Sequence, residues 1–173
     1  MHIQSNNVTL RDFCETDVHN KIRWINDPEN NLYLHYDIPL EYEKTVQWYR
    51  NKNNETRLDL IIEYCGIPVG LMGLLGIDRT NNKAEYYICL GEKEYKGKGI
   101  AKSATKMLID YGFTELGLNK IFLNVDAENI VACHLYEKCG FECEGYFKKD
   151  MVHRGQYIDR KRYAILMKGS ANI

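Results

Sequence analysis

Lys96, Gly97, Lys98 and Gly99 stand between a β-rich run, Glu85 to Leu90, and a segment whose apolar residues Ile100, Ala104, Met107, Leu108 and Tyr111 recur at helical spacing. Glycines at the start of a helix leave backbone N–H groups unpaired and face the positive end of the helix dipole. That chemistry holds phosphate, and flanking lysines add charge to it. The turn lacks the third glycine of a dinucleotide fingerprint, and Ile100 follows Gly99 where a P-loop has Lys. Nicotinamide and nucleoside-triphosphate ligands are therefore disfavoured. A glycine turn that binds nothing is the plain alternative.

The elements that must position this turn are legible from the apolar period. Val8 to Arg11 reads as a first strand, Glu15 to Asn26 as a helix that Pro28 stops, and 26–39 as an aromatic-rich loop. A second helix is expected over Glu41 to Asn51. The period then changes to strands at Leu58–Tyr64, Val69–Ile77 and Ala84–Leu90, separated by polar turns, which is an antiparallel meander. A helix follows Gly99 to near Leu116, with Gly117 as its stop. Lys120–Val125 is a strand, Asn129–Cys139 a helix, and two more strands meet near His153–Gly155. One α+β domain over residues 1–168, followed by a tail at 169–173, accounts for the chain.

Composition excludes several classes. The 173 residues suffice for one domain with a true core, and 45% hydrophobic with 27% charged residues is ordinary for a globular chain. A net charge of -1 gives no general basic face for nucleic acid, although Lys93, Lys96, Lys98 and Lys102 form a local basic strip. No apolar run is long enough to cross a bilayer, and the polar N-terminus does not read as a secretory signal. The six cysteines match no zinc spacing, so no metal is expected, and reduced thiols in a cytoplasmic protein are the expectation.

A second constellation lies at Asn129-Ile130-Val131-Ala132-Cys133-His134-Leu135-Tyr136-Glu137-Lys138-Cys139-Gly140-Phe141. With the Lys96–Ala101 turn, in that order and on those elements, the chain resembles the GNAT superfamily of acetyl-CoA-dependent N-acetyltransferases. Lys96 stands where that family usually has Arg or Gln, which loses a forked contact but leaves the glycine backbone intact. The resemblance implies a mixed, mostly antiparallel central sheet of about seven strands flanked by about four helices. It also implies a division of labour with acetyl-CoA as co-substrate. Ile88, Cys89 and Leu90 would lie along the pantetheine arm, on a strand where the sheet splays open. Lys96, Gly97, Lys98, Gly99, Ile100 and Ala101 would cradle the pyrophosphate, and Asn129 would hydrogen-bond the cofactor arm. Tyr136 would protonate the departing thiolate, a phenol being weak enough an acid for a basic leaving group.

The attacking amine must lose a proton, and Glu85, beside the implied thioester, is the candidate base through water. Direct attack is expected over a cysteine acyl-enzyme, because burial of Cys89 would raise its pKa and no base stands near it in sequence. Within the superfamily the C-terminal half is most similar to bacterial spermidine N-acetyltransferases and ribosomal-protein N-terminal acetyltransferases. Of three candidate acceptors, a polyamine or other small amine ranks first, an aminosugar second and a peptide third. Asp37, Glu41 and Glu43 with Glu85 would make an acidic funnel for a polyamine. Tyr36 lies beside them in the aromatic-rich loop. Arg23 and Trp24 resemble a segment of nucleotide-linked aminosugar acetyltransferases, although Trp24 and Trp48 as plain core residues is the favoured reading, and a peptide N-terminus is the third option. A regulatory module that binds acetyl-CoA without catalysis is the alternative of another class. A homodimer is compatible with the tyrosine-rich composition.

Overall fold

The computed structural model describes residues 1–169. Most of the expected tail, 170–173, lies outside the described residues. Eight strands form one sheet in the order β1-β2-β3-β4-β5-β6-β8-β7. They are β1 (His2–Ser5), β2 (Val8–Asp12), β3 (Leu58–Tyr64), β4 (Ile67–Asp78), β5 (Lys83–Leu90), β6 (Lys120–Asp126), β7 (Glu142–His153) and β8 (Gln156–Leu166). The helices are α1 (Val18–Asn26), α2 (Pro28–Asn31), α3 (Tyr42–Asn51), α4 (Ile100–Thr114) and α5 (Ile130–Lys138).

Two elements were not expected. β1 is short, mostly exposed and paired only with β2, so its order comes from that pairing and not from its own pattern. Pro28 read as a helix stop, but it starts α2. Its missing N–H costs nothing at a first helical position, and Asp27 accepts from the Glu29 N–H at 2.9 Å.

The sheet separates two apolar clusters, and the strand period of two sorts residues between them. On β3, Leu60 and Ile62 join the cluster under α4 and α5, while Ile61 joins the one under α1 and α3. On β5, Tyr86 faces the first cluster, and Cys89 the second. Burial on both faces is why these strands read as nearly continuous apolar runs. Trp24 closes the second cluster against Gly91, where an added Cβ would fall 2.1 Å from the indole Cγ.

Among the described residues, the one parallel junction in the sheet is between β5 and β6. Its register runs through Lys83–Lys120, Ala84–Ile121 and Glu85–Phe122 and stops there. β5 continues against β4 as far as Gly70–Leu90. From Tyr86 onward β5 therefore has a strand on one side alone, and the two halves of the sheet part.

Candidate active site

The parting of β5 and β6 opens a cleft of about 780 Å³. Its walls are Tyr86 to Leu90 of β5, Lys96, Gly97 and Gly99 to Lys102 of the turn and helix start, Asn124 to Asp126 of β6, much of α5, and residues of α2 and the loop after it, His35 among them. The two sequence constellations, far apart along the chain, thus share one cavity.

Gly97 and Gly99 both adopt left-handed backbone, at φ 78° and 77°. A Cβ built on either meets nothing within 4 Å, so the turn is open above its backbone. Gly99 caps α4 without a side chain, and the first-turn N–H groups are left for a ligand. Lys96, Lys102 and Lys138 line the same cleft. Lys96 Nζ donates to Asn30 Oδ1 at 2.6 Å, and Lys98 lies over the Tyr95 ring at 5.1 Å. An open glycine turn, a positive rim and an unpaired strand edge in one cavity fit a CoA diphosphate and its arm.

Tyr136 is 8% exposed and lines this cleft. Its ring sits 5.9 Å from those of Tyr86 and Phe141, at steep angles. Burial pushes the phenol well above its ordinary pKa, with Cys133 and Cys139 adding to the effect. It therefore stays protonated across the neutral range and can give its proton only to a strong base. Cys89 lines the cleft too, and burial pushes its thiol up to about 11. A thiol so protonated is a poor nucleophile. Asn129 Oδ1 accepts from the Ala132 N–H at 3.2 Å and caps α5. Only its amide N–H groups remain for a ligand.

Glu85 is not among the cleft walls. It accepts from Asn124 Nδ2 at 2.9 Å, and Asn124 Oδ1 accepts from Arg162 Nε at 3.1 Å. The strand places Glu85 where the β5–β6 pairing is still closed. Tyr36, Asp37 and Glu41 line a different cavity of about 560 Å³, together with Lys21 and Trp48. Glu41 Oε1 accepts from Lys44 Nζ at 2.7 Å. The structure does not bring Asp37, Glu41 and Glu85 to one wall. Trp24 is 1% exposed and donates from Nε1 to Glu92 at 2.8 Å, and Arg23 pairs with the same carboxylate. The indole offers no free face for stacking on a base or sugar.

Sequence reasoning missed a group at the end of β6. His35 Nε2 lies 3.1 Å from Asp126 Oδ2, and both residues line the cleft. The aromatic-rich loop carries His35, but nothing in its local pattern marks it, because its partner is remote in sequence. Among the described residues, no group of His, Cys, Asp and Glu side chains is placed to hold a metal ion, and no helix is long and apolar enough to cross a membrane.

Known proteins match this arrangement. A family model described as an acetyltransferase (GNAT) domain matches residues 7–142. Spermidine N(1)-acetyltransferase of Escherichia coli (strain K12) is 34% identical over 149 residues, covering 83% of this chain and 80% of the relative. The crystal structure of spermidine N-acetyltransferase from Vibrio cholerae in complex with CoA and spermine superposes with a TM-score of 0.85 at 30% identity, over 94% of this chain and 96% of that one. A dodecameric structure of the Vibrio cholerae spermidine N-acetyltransferase has a TM-score of 0.80 at 29% identity, over 94% and 95%. The split sheet, the open glycine turn and these matches agree, and the chain belongs to the GNAT family of acetyl-CoA-dependent N-acetyltransferases.

Proposed function

We propose that the acceptor is a polyamine such as spermidine, acetylated on a primary amine by direct attack in the β5–β6 cleft. The observation that carries the reading is the likeness to spermidine acetyltransferases over most of both chains. It is supported by a buried carboxylate, Asp126, on the wall of the cleft, where a cationic substrate would find an opposite charge.

Acetyl-CoA supplies an acetyl group activated as a thioester. The residues of the chain do the rest. Backbone N–H groups at Gly97 to Ala101 receive the diphosphate, with Lys96, Lys102 and Lys138 adding charge. The unpaired edge at Ile88, Cys89 and Leu90 aligns the pantetheine arm as a strand would, and an N–H there polarises the carbonyl. The Asn129 amide donates to the same arm. Tyr136 gives its proton to the sulfur as the C–S bond breaks. Glu85, the base expected from sequence, would reach the amine only by way of Asn124 and water.

The test is thiol release from acetyl-CoA against spermidine, spermine, nucleotide-linked 4-amino sugars and short peptides. Polyamines should exceed every other class by roughly tenfold or more in kcat/KM. Turnover of another class with none for polyamines removes the reading.

We also propose that the chain self-associates and works in the cytoplasm. The dodecameric relative supports the first. So does the outer hairpin, where Tyr146, Val152 and Tyr157 are more than half exposed, at 52%, 58% and 67%. The second is supported by six free cysteines, which suit a reducing compartment.

A further inference from the structure

Two buried polar atoms have no hydrogen-bond partner among the described residues, Asp126 Oδ1 and His153 Nε2. They belong to one cluster. The His35 ring lies 4.8 Å from the His153 ring, and its Nε2 meets Asp126 Oδ2. Three separate segments build this corner: the loop after α2, the C-terminal end of β6, and the turn between β7 and β8. That turn is anchored by Arg154, which donates to Asn31 Oδ1 at 2.9 Å.

A carboxylate that is 6% exposed with one oxygen unpaired leaves a strong acceptor unsatisfied, which costs free energy unless a donor arrives. Asp126 lines the substrate cleft, so the donor it lacks can be a ligand. Its other oxygen takes the N–H at His35 Nε2, which leaves the lone pair of the neutral ring at Nδ1. A histidine whose tautomer is fixed by a carboxylate is a proton acceptor in waiting. The titratable groups against His35 are Asp126 from β6 and His153 at the end of β7, while Arg154, the next residue, is held by Asn31. Burial, with His35 and Arg154 nearby, holds His153 below its ordinary pKa, so it stays neutral and adds no repulsion.

We propose that Asp126 and His35 form the acceptor-amine subsite: Asp126 Oδ1 receives an ammonium N–H, and His35 Nδ1 takes the proton the amine must lose. The inference rests on the amine-acetylation reading and extends it to named side chains. The substrate R–NH3⁺ gives one proton to His35 and becomes R–NH2, whose lone pair forms the C–N bond at the acetyl carbonyl. The C–S bond breaks, and its electron pair leaves on sulfur, which takes the Tyr136 proton. The second proton lost by nitrogen restores Tyr136 through water, and the imidazolium returns its own to solvent. One net proton is released for each acetyl group transferred.

The subsite is tested both with and without turnover. In the pH profile of kcat/KM for spermidine, His35→Gln should erase the acidic limb and lower the neutral value by about 10²-fold or more. Acetyl-CoA affinity by calorimetry should be unchanged, which also shows that the variant is folded. Asp126→Asn should raise the spermidine KM more than it lowers kcat. An acidic limb that survives in His35→Gln and disappears in Glu85→Gln overturns the assignment.

The arm without turnover uses propylamine, the simplest primary amine, titrated into the CoA-saturated protein. The His35 imidazole resonances, assigned by their loss in His35→Gln, should shift in the wild type and stay still in Asp126→Asn. No shift in the wild type overturns the subsite. A shift without spermidine turnover keeps the subsite and sinks the polyamine reading.

Discussion

At the scale of single residues, Tyr136 carries the sharpest expectation. Its phenol is held protonated by burial. Tyr136→Phe should cut kcat by about 10- to 10³-fold, the range of a general acid, and leave acetyl-CoA affinity unchanged. Stopped-flow thiol release with a parallel binding titration checks both halves. Turnover equal to wild type would take Tyr136 out of the chemistry. The neighbouring Cys89 gives a complementary expectation. Its raised pKa predicts that no acetyl-cysteine accumulates when acetyl-CoA is mixed with the protein without amine, and intact-mass spectrometry reads that directly. Tyr136 was legible in sequence because the motif around it is local. His35 and Asp126 were not, because their significance lies in a contact across 91 positions.

At the scale of elements, the start of α4 and the end of the β5–β6 pairing make the cleft. α4 can present its N–H groups because Gly99 turns the chain with φ 77°, where an L side chain is strained, and because nothing stands above the turn. Gly99→Glu should abolish acetyl-CoA binding, by filling that space and placing a negative charge at the phosphates. A normal dissociation constant for a folded variant would show that the diphosphate sits elsewhere. The element boundaries teach a related lesson. The 3.6 and 2.0 periods marked α1, α3, α4, α5 and the central strands. Pro28 was misread as an end because proline suits both the residue after a helix and its first turn, and only the Asp27 cap distinguishes the two. β1 has no apolar period to read, since an exposed edge strand is ordered by its neighbour's backbone.

At the scale of the whole molecule, Asp59 ties the second cluster together. Burial opposes its charge, but donors from Arg57, Tyr87 and Lys52 outweigh that and hold its pKa near 2, against 3.8 for the free side chain. Because the folded value is the lower one, the stabilisation is complete above about pH 4 and is lost as pH falls through about 2. The shift corresponds to about 2 kcal/mol at neutral pH. Asp59→Asn should lose at least about that much in urea unfolding at pH 7, and the gap to wild type should close toward pH 2. A gap that stays constant from pH 7 down to about 2 would mean that the carboxylate charge is not what stabilises the fold. The sequence alone determined the glycine turn and the Tyr136 helix, since each is written in residues close together in the chain, and the family resemblance that the two motifs carry together implied the fold class and the acetyl-CoA chemistry. The tertiary structure alone decided that Glu85 sits behind Asn124, that Asp37 and Glu41 face another cavity, and that His35 meets Asp126. Those are distances between segments that share no local pattern, and they are set by how the sheet parts at Glu85 and by which loops pack over the opening.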